Sequence, residues 1–322
     1  MATTLEALFR NLTSFAPVRM AARDADWETF VEWVIANGLA PLVAYNLEYR
    51  TAGAGAPEWA RDRLLSIYQG SANDNVMKLV NFKRSLSDLE GRTIVVLSGA
   101  SYAESVYPHV AFRPILDISM VVPPRDVGPL SAYLRRAEFK PAEKGEAVMP
   151  ADEVLSDGRT ALALYGSILG NAAEDAALLQ RALPLKVYGP SMYRLDLEDA
   201  ILTDSLLMAR AGFQVPLIQL IDLRELVTGS SAMGGVYSRV VKAEVLLARA
   251  AALKCERALW ATLMMVQTLF PDTEGSVQPL LPSIALPTRE LLTRLVVNPV
   301  ATVGRLRSFV GEESLRQLLL GA

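Results

Sequence analysis

The chain has 322 residues, 51% hydrophobic and 21% charged, with a formal net charge of −3. So apolar a chain of this length can bury a substantial core, which excludes a disordered or low-complexity scaffold. A single cysteine, Cys255, excludes an intrachain disulfide and cysteine-based metal sites, a single histidine, His109, excludes a His-rich metal centre, and the mild negative charge gives no reason to expect nucleic-acid binding.

The first ninety residues read as helical. Asp26–Ile35 places Trp27, Phe30, Val31 and Val34 on one face, and Asn37-Gly38 ends that helix. Pro41 opens the next, which runs through Tyr45 to Tyr49. Thr51–Pro57 is a small-residue loop, and a longer helix is predicted from Glu58 to Glu90 with an interruption near Gly70.

The middle of the chain changes character. Thr93–Leu97 is a β-branched run between Gly91 and Gly99 and reads as a buried strand. Ser101–Tyr107 follows as a short helix, with Ser101 and Glu104 at capping-box spacing. Leu116–Val122 is a second strand, stopped by Pro123-Pro124. Val127–Ala137 returns to helix, Thr160–Ile168 is a third strand, and Leu185–Tyr188 is a candidate fourth. From Asp196 the chain is helical again: Leu197–Ala211, Pro216–Val227, Val236–Ala252 and Glu256–Phe270, then a loop over Thr273–Pro287 and closing helices at Thr288–Val297 and Glu312–Leu320.

The sum is an α+β arrangement: a helical segment over 1–90, a small mixed α/β core over 91–190 and a helical domain over 191–322. No window has the length and apolarity of a transmembrane span, and Glu6 and Arg10 interrupt any signal-peptide core, so the expectation is a cytoplasmic protein.

Several segments fall in an order that carries a family resemblance. They are Gly38-Leu39-Ala40-Pro41-Leu42, Val95-Val96-Leu97-Ser98-Gly99, Tyr107-Pro108, and Phe112-Arg113-Pro114-Ile115-Leu116-Asp117-Ile118-Ser119-Met120-Val121-Val122. Leu195-Asp196-Leu197-Glu198-Asp199 and Leu220-Ile221-Asp222-Leu223 follow. Over roughly residues 35–228 the chain resembles the nucleotidyltransferase-like family of the polymerase-β superfamily, in the branch of uncharacterised nucleotidyltransferases. The resemblance implies a small mixed sheet flanked by helices, a C-terminal helical domain, and a cleft that takes a nucleoside triphosphate with Mg2+.

That chemistry sets demands on the residues. Two divalent ions about 4 Å apart stabilise the attacking and leaving oxygens of a displacement at phosphorus. An i, i+2 pair of carboxylates on one strand face supplies ligands, because strand side chains alternate, and a neighbouring strand adds a third. The family pattern reads "LKG" after the first strand and then "R…DIDLLV". In this chain Asp117 matches the first carboxylate and candidate metal ligand, but Ser119 stands at the second and Ser98 replaces the lysine. The predicted third strand, Ala161-Leu162-Ala163-Leu164-Tyr165, has no carboxylate. Ser98, Gly99, Ser101, Arg113 and Ser119 are candidate ligand contacts, with Ser101 also readable as a helix cap and Arg113 as a partner of Asp117 or of a backbone carbonyl.

Three readings stay open. The first is a degenerate family member that binds a nucleotide, another small ligand or a protein partner without transferring. The second is an active Mg2+-dependent transferase whose site is rebuilt around Asp117 with Asp152, Glu153 or Asp157. The third is an interaction or self-association protein that docks through apolar helices from Val236 onward. Outside the site, His109 reads as a loop residue, Cys255 as a packing thiol, and Met264-Met265 with Trp260 and Phe270 as core. Asp204 lies in an apolar helix, and Asp222, which matches an aspartate of the family's helical region, is expected to make an interhelical hydrogen bond.

Overall fold

The computed structural model describes residues 5–22, 25–50, 52–86, 89, 91–142, 151–213, 215–229 and 240–296. Helix α1 (Leu5–Leu12) precedes a two-residue parallel pair, β1 (Met20–Ala21) with β2 (Gly53–Ala54), which brackets α2 (Trp27–Ala36) and α3 (Ala40–Glu48). The side chain of Asp26 caps α2 by accepting from the Thr29 N–H at 3.1 Å, and Trp27, Phe30, Val31 and Val34 are buried, as their spacing predicts. Helix α4 (Glu58–Ser85) runs without the predicted break. Gly70 has open space around it, so the helix pays only the glycine's backbone entropy, about 1 kcal/mol relative to alanine.

The centre follows as β3 (Ile94–Val96), α5 (Ser98–Ser105), β4 (Asp117–Val121), α6 (Pro124–Arg136), β5 (Lys140–Pro141), β6 (Glu153–Ser156), β7 (Ala161–Tyr165), α7 (Ala172–Arg181), β8 (Leu183–Pro184) and β9 (Met192–Arg194). These strands form one mixed sheet of order β5-β6-β7-β4-β3-β9-β8, in which β4 runs antiparallel to β3 and parallel to β7. The hairpin of β5 and β6 and the strand β9 have no counterpart among the predicted elements. Leu185–Tyr188 is not a strand: Lys186–Tyr188 makes a 3-10 turn, which buries Leu185 and Tyr188 and lets the Tyr188 hydroxyl donate to the Ala100 carbonyl at 2.9 Å. With only Leu185 and Tyr188 buried and Lys186 and Val187 exposed, a four-residue segment seats its apolar ends equally well without a ladder, so its pattern alone does not fix a strand.

Strand alternation divides the core in two. Ile94, Val96, Ile118, Met120, Leu162 and Leu164 point to one face and pack with Phe82 of α4 and Leu130 and Leu134 of α6. Val95, Val121, Ala163 and Tyr165 point to the other and join a larger core with the N-terminal and C-terminal helices. Those last helices are α8 (Leu197–Arg210), α9 (Ile218–Thr228), α10 (Ala243–Ala252), α11 (Glu256–Leu269), α12 (Glu274–Val277) and α13 (Leu286–Val296). Asp196 caps α8 through the Asp199 N–H at 2.8 Å, and Gly229 ends α9 with φ 60°. The predicted loop over Thr273–Pro287 thus holds α12 and the start of α13. The predicted helix at Glu312–Leu320 lies outside the described residues, as does the start of the one predicted from Val236. Cys255 is buried, and burial pushes its thiol up to about 12, in keeping with a packing role. No helix among the described residues is long and apolar enough to cross a membrane.

One buried amide fixes the approach to β4. Asn75 of α4 donates to the carbonyls of Val110 (2.7 Å) and Arg113 (2.9 Å) and accepts from the Ile115 N–H at 3.0 Å. Asn75→Ala leaves all three backbone groups unsatisfied in the interior. At about 1 kcal/mol or more for each, the variant is expected to lose roughly 3 kcal/mol in a chemical denaturation titration. A loss under about 1 kcal/mol would show that water replaces the amide freely.

Candidate functional site

The site is built on β4. Asp117 is its first residue and Ser119 follows two later, so both leave the same face of the sheet. The Ser119 hydroxyl donates to Asp117 Oδ2 at 3.1 Å. In the neighbouring strand β7, Ala161 lies opposite Asp117 and Ala163 opposite Ser119. The positions best placed to add a carboxylate therefore carry methyl groups. Tyr165 closes that side; burial pushes its phenol up to about 12, while a hydrogen bond with Ser119 works in the other direction.

The opposite wall comes from the turn between β3 and α5, where the Leu97 N–H donates to the Ser119 carbonyl at 2.9 Å. The sequence places the backbone freedom of this turn at Gly99. In the structure it is Ser98 that takes the positive φ, 35°, while Gly99 lies within the first turn of α5. A Cβ on Gly99 would stand 3.4 Å from Arg113 Nη1, so glycine lets the helix start rest against that guanidinium. Ser101 is not a cap, because α5 begins three residues earlier. It is buried inside the helix, outside the cleft lining, and its hydroxyl has no partner among the described residues.

Arg113 pairs with neither Asp117 nor an open cleft. Its Nε donates to both carboxylate oxygens of Asp222 at 3.0 Å, Nη2 stands 2.8 Å from Asp222 Oδ2, and Nη1 donates to the Pro114 carbonyl at 2.8 Å. Tyr107 donates to the same aspartate at 2.7 Å. Burial opposes the charge on Arg113, but Asp222 and Tyr107 hold its guanidinium above its usual range; burial and then Asp222 keep the Tyr107 phenol protonated. Asp222 thus does join elements, through an ion pair rather than a simple helix–helix hydrogen bond.

The residue that the sequence did not bring forward is Asp204. Nearly every position of α8 is buried, and this acid points from it to the turn of α5. Its Oδ1 accepts from the Ser98 hydroxyl at 2.7 Å and its Oδ2 from the Tyr102 hydroxyl at 2.8 Å. Burial pushes its carboxyl up to about 7, against the two hydroxyl contacts. The one signal in the sequence is an acid in mid-helix with Ile201, Leu202, Leu206 and Leu207 around it.

Ser98, Gly99, Arg113, Asp117, Ser119 and Asp204 meet around one cleft with a cavity volume of about 50 Å³. The acids expected as replacements lie elsewhere. Asp152 accepts from the Gly166 N–H at 2.6 Å, Glu153 pairs with Arg135 at 2.5 Å, and Asp157 holds its own loop through the Thr160 N–H at 2.7 Å. None of the three lines the cleft. His109 accepts from the Ala111 N–H at 3.2 Å and lies against Tyr68 and Phe112. The donor set therefore does not fit a pair of magnesium ions. Among the described residues no three acidic, histidine or cysteine side chains converge, and both cleft carboxyls already accept from hydroxyls, Asp117 from Ser119 and Asp204 from Ser98 and Tyr102.

The family described as uncharacterised nucleotidyltransferase matches residues 23–271, well over half of the chain. The chain belongs to that family. It has the mixed sheet and flanking helices expected of a nucleotidyltransferase fold. It is similar to the solution structure of the antibiotic-resistance factor ANT(2'')-Ia, at 18% identity and a TM-score of 0.37, over 55% of this chain and 93% of that one. No curated protein matches this chain.

Proposed function

We propose that this family member has lost metal-dependent nucleotidyl transfer and keeps its cleft as a binding site for a small ligand, a nucleotide or a partner. The observation that carries this reading is the pair of facing positions on the sheet: Ser119 where the second carboxylate belongs, and Ala161 and Ala163 on the adjoining strand. Two adjacent divalent ions repel each other strongly in a poorly screened cleft, and a single ionised Asp117 offsets little of that. The rebuilt-site reading needs an acid from Asp152, Glu153 or Asp157, on and beside β6, but each is engaged by its own partner outside the cleft lining. The interaction-protein reading has less support. In residues 240–294 the exposed large apolar side chains are Val240, Leu286 and Leu291, and singly scattered residues of this kind are ordinary on a surface.

The test combines transfer and binding. Purified protein with each labelled nucleoside triphosphate, Mg2+ and a panel of acceptors is expected to give no incorporation above background. A nucleotide at 100 times its Kd stabilises a fold by about 2.7 kcal/mol, so thermal-shift titrations with and without Mg2+ report binding separately; Mg2+ is expected to add nothing to the result. Mg2+-dependent incorporation that disappears in Asp117→Ala would overturn the proposal.

A further inference from the structure

The cleft at Asp117 has a charge, a size and a rim that together select a ligand. Among the described lining residues Arg113 is the one cation, and Asp222 neutralises it from behind through three contacts of 2.8–3.0 Å. The rest of the polar lining is the Asp117 carboxylate, the Asp204 carboxyl, the hydroxyls of Ser98, Ser119 and Tyr165, and the amide of Gln219. The start of α5 would favour an anion, but the side chain of Asp204 already stands at that end, accepting from the Ser98 hydroxyl at 2.7 Å. A phosphate group entering without metal ions would meet carboxylates and no available counter-charge.

Size points the same way. A cavity of about 50 Å³ exceeds the roughly 10–15 Å³ that one water needs, yet lies far below the roughly 300–1,000 Å³ of typical pockets for drug-sized ligands. It holds a head group rather than a whole nucleotide. Leu207, Pro216 and Ile218 add apolar lining, and Leu116, which also lines the cleft, is 54% exposed. An exposed leucine beside a polar, acid-lined cavity suits a molecule with an apolar stem and a cationic tip.

We infer that the cleft binds a primary ammonium group carried on an alkyl or aryl stem, the ammonium seated at Asp117 and the stem lying along Leu116 and Leu207. This rests on the reading of the cleft as a binding site without a metal pair, and it adds the ligand class. The ammonium has three donors for the acceptors present, Asp117 Oδ and the Ser119 and Ser98 hydroxyls, while the stem covers apolar surface otherwise open to water.

The experiment titrates the full chain with n-butylammonium, n-butanol and butyrate, followed by NMR and by melting temperature. Butylammonium is expected to bind at least tenfold more tightly than butanol, and butyrate not to bind. Asp117→Asn is expected to weaken butylammonium at least tenfold. Gln219→Lys, at a half-buried position, places a cation in the cleft and is expected to abolish the interaction; it carries the test if Asp117→Asn fails to fold. Equal binding of amine and alcohol, amine binding unchanged in Gln219→Lys, or no saturable amine binding would each overturn the inference. The transfer assay on the same preparation separates the two claims. Transfer with selective amine binding would sink the loss of catalysis alone, whereas neither transfer nor amine binding would sink the ligand class alone.

Discussion

Replacing Arg113 by alanine is expected to cost 3–5 kcal/mol of folding stability, among the largest effects of any single change near the cleft. The pair with Asp222 is buried on both sides, with side-chain exposures of 6% and 1%. Removing one partner leaves an uncompensated charge in the interior, and that penalty, rather than the net worth of the pair, sets the size of the effect. Asp222 would remain with Tyr107 as its hydrogen-bond donor and with Asp204 and Glu225 in the same acidic neighbourhood. Asp222→Ala strands the guanidinium instead and is expected to cost about as much. Stabilities of these small margins, typically 5–15 kcal/mol in total, make either variant visibly sensitive to urea. The check is a double-mutant cycle by chemical denaturation with Arg113→Met and Asp222→Leu. The expected double variant is more stable than either single one, because it buries no lone charge. Single variants within about 1 kcal/mol of the parent would show that the pair is open to water.

Asp204→Asn is expected to stabilise the protein above neutral pH and to flatten its pH dependence. The sign follows from the direction of the shift. Burial raises the carboxyl from an ordinary 3.8 to about 7, so between those values the folded chain holds a proton that the unfolded chain has released. Stability from this group is complete below about pH 4 and is lost as pH rises to about 7, above which both states are ionised and the loss is constant. At about 1.36 kcal/mol per pKa unit, the gap corresponds to an effect on the order of 4 kcal/mol. Asparagine keeps the shape, carries no charge, and leaves the Ser98 and Tyr102 hydroxyls free to rotate toward its oxygen or its amide. Melting temperatures of parent and variant across pH 4–9 are expected to diverge with rising pH, the variant higher. Parallel curves would mean that Asp204 stays ionised throughout, held by the two hydroxyls at 2.7 and 2.8 Å.

Much of the architecture is local and therefore legible in the sequence. The stripe of Trp27, Phe30, Val31 and Val34 marks α2, and the β-branched run before Ser98 marks β3, because period and branching act within a few residues. The i, i+2 spacing of Asp117 and Ser119 puts both on one strand face whatever the surroundings, so the missing second carboxylate is also plain from the sequence. The misplaced features depend on partners distant in the chain. Ser101 has capping-box spacing, yet α5 starts at Ser98, because Ser98 is drawn to Asp204, 106 residues further on. Leu185–Tyr188 has the make-up of a short strand, but its shape is set by Tyr188, whose hydroxyl donates to the distant Ala100 carbonyl.

The sequence by itself determined the α+β class, the family and a strand face that carries one carboxylate where two are expected. Strand alternation and helical periodicity are short-range consequences of backbone geometry, and for α2, β3 and β4 they suffice without distant partners. Only the tertiary structure decided that Arg113 belongs to Asp222, that Asp204 enters the cleft and that Asp152, Glu153 and Asp157 do not. Charge pairing depends on distance in space and on burial, and 109 residues of chain separate Arg113 from its carboxylate.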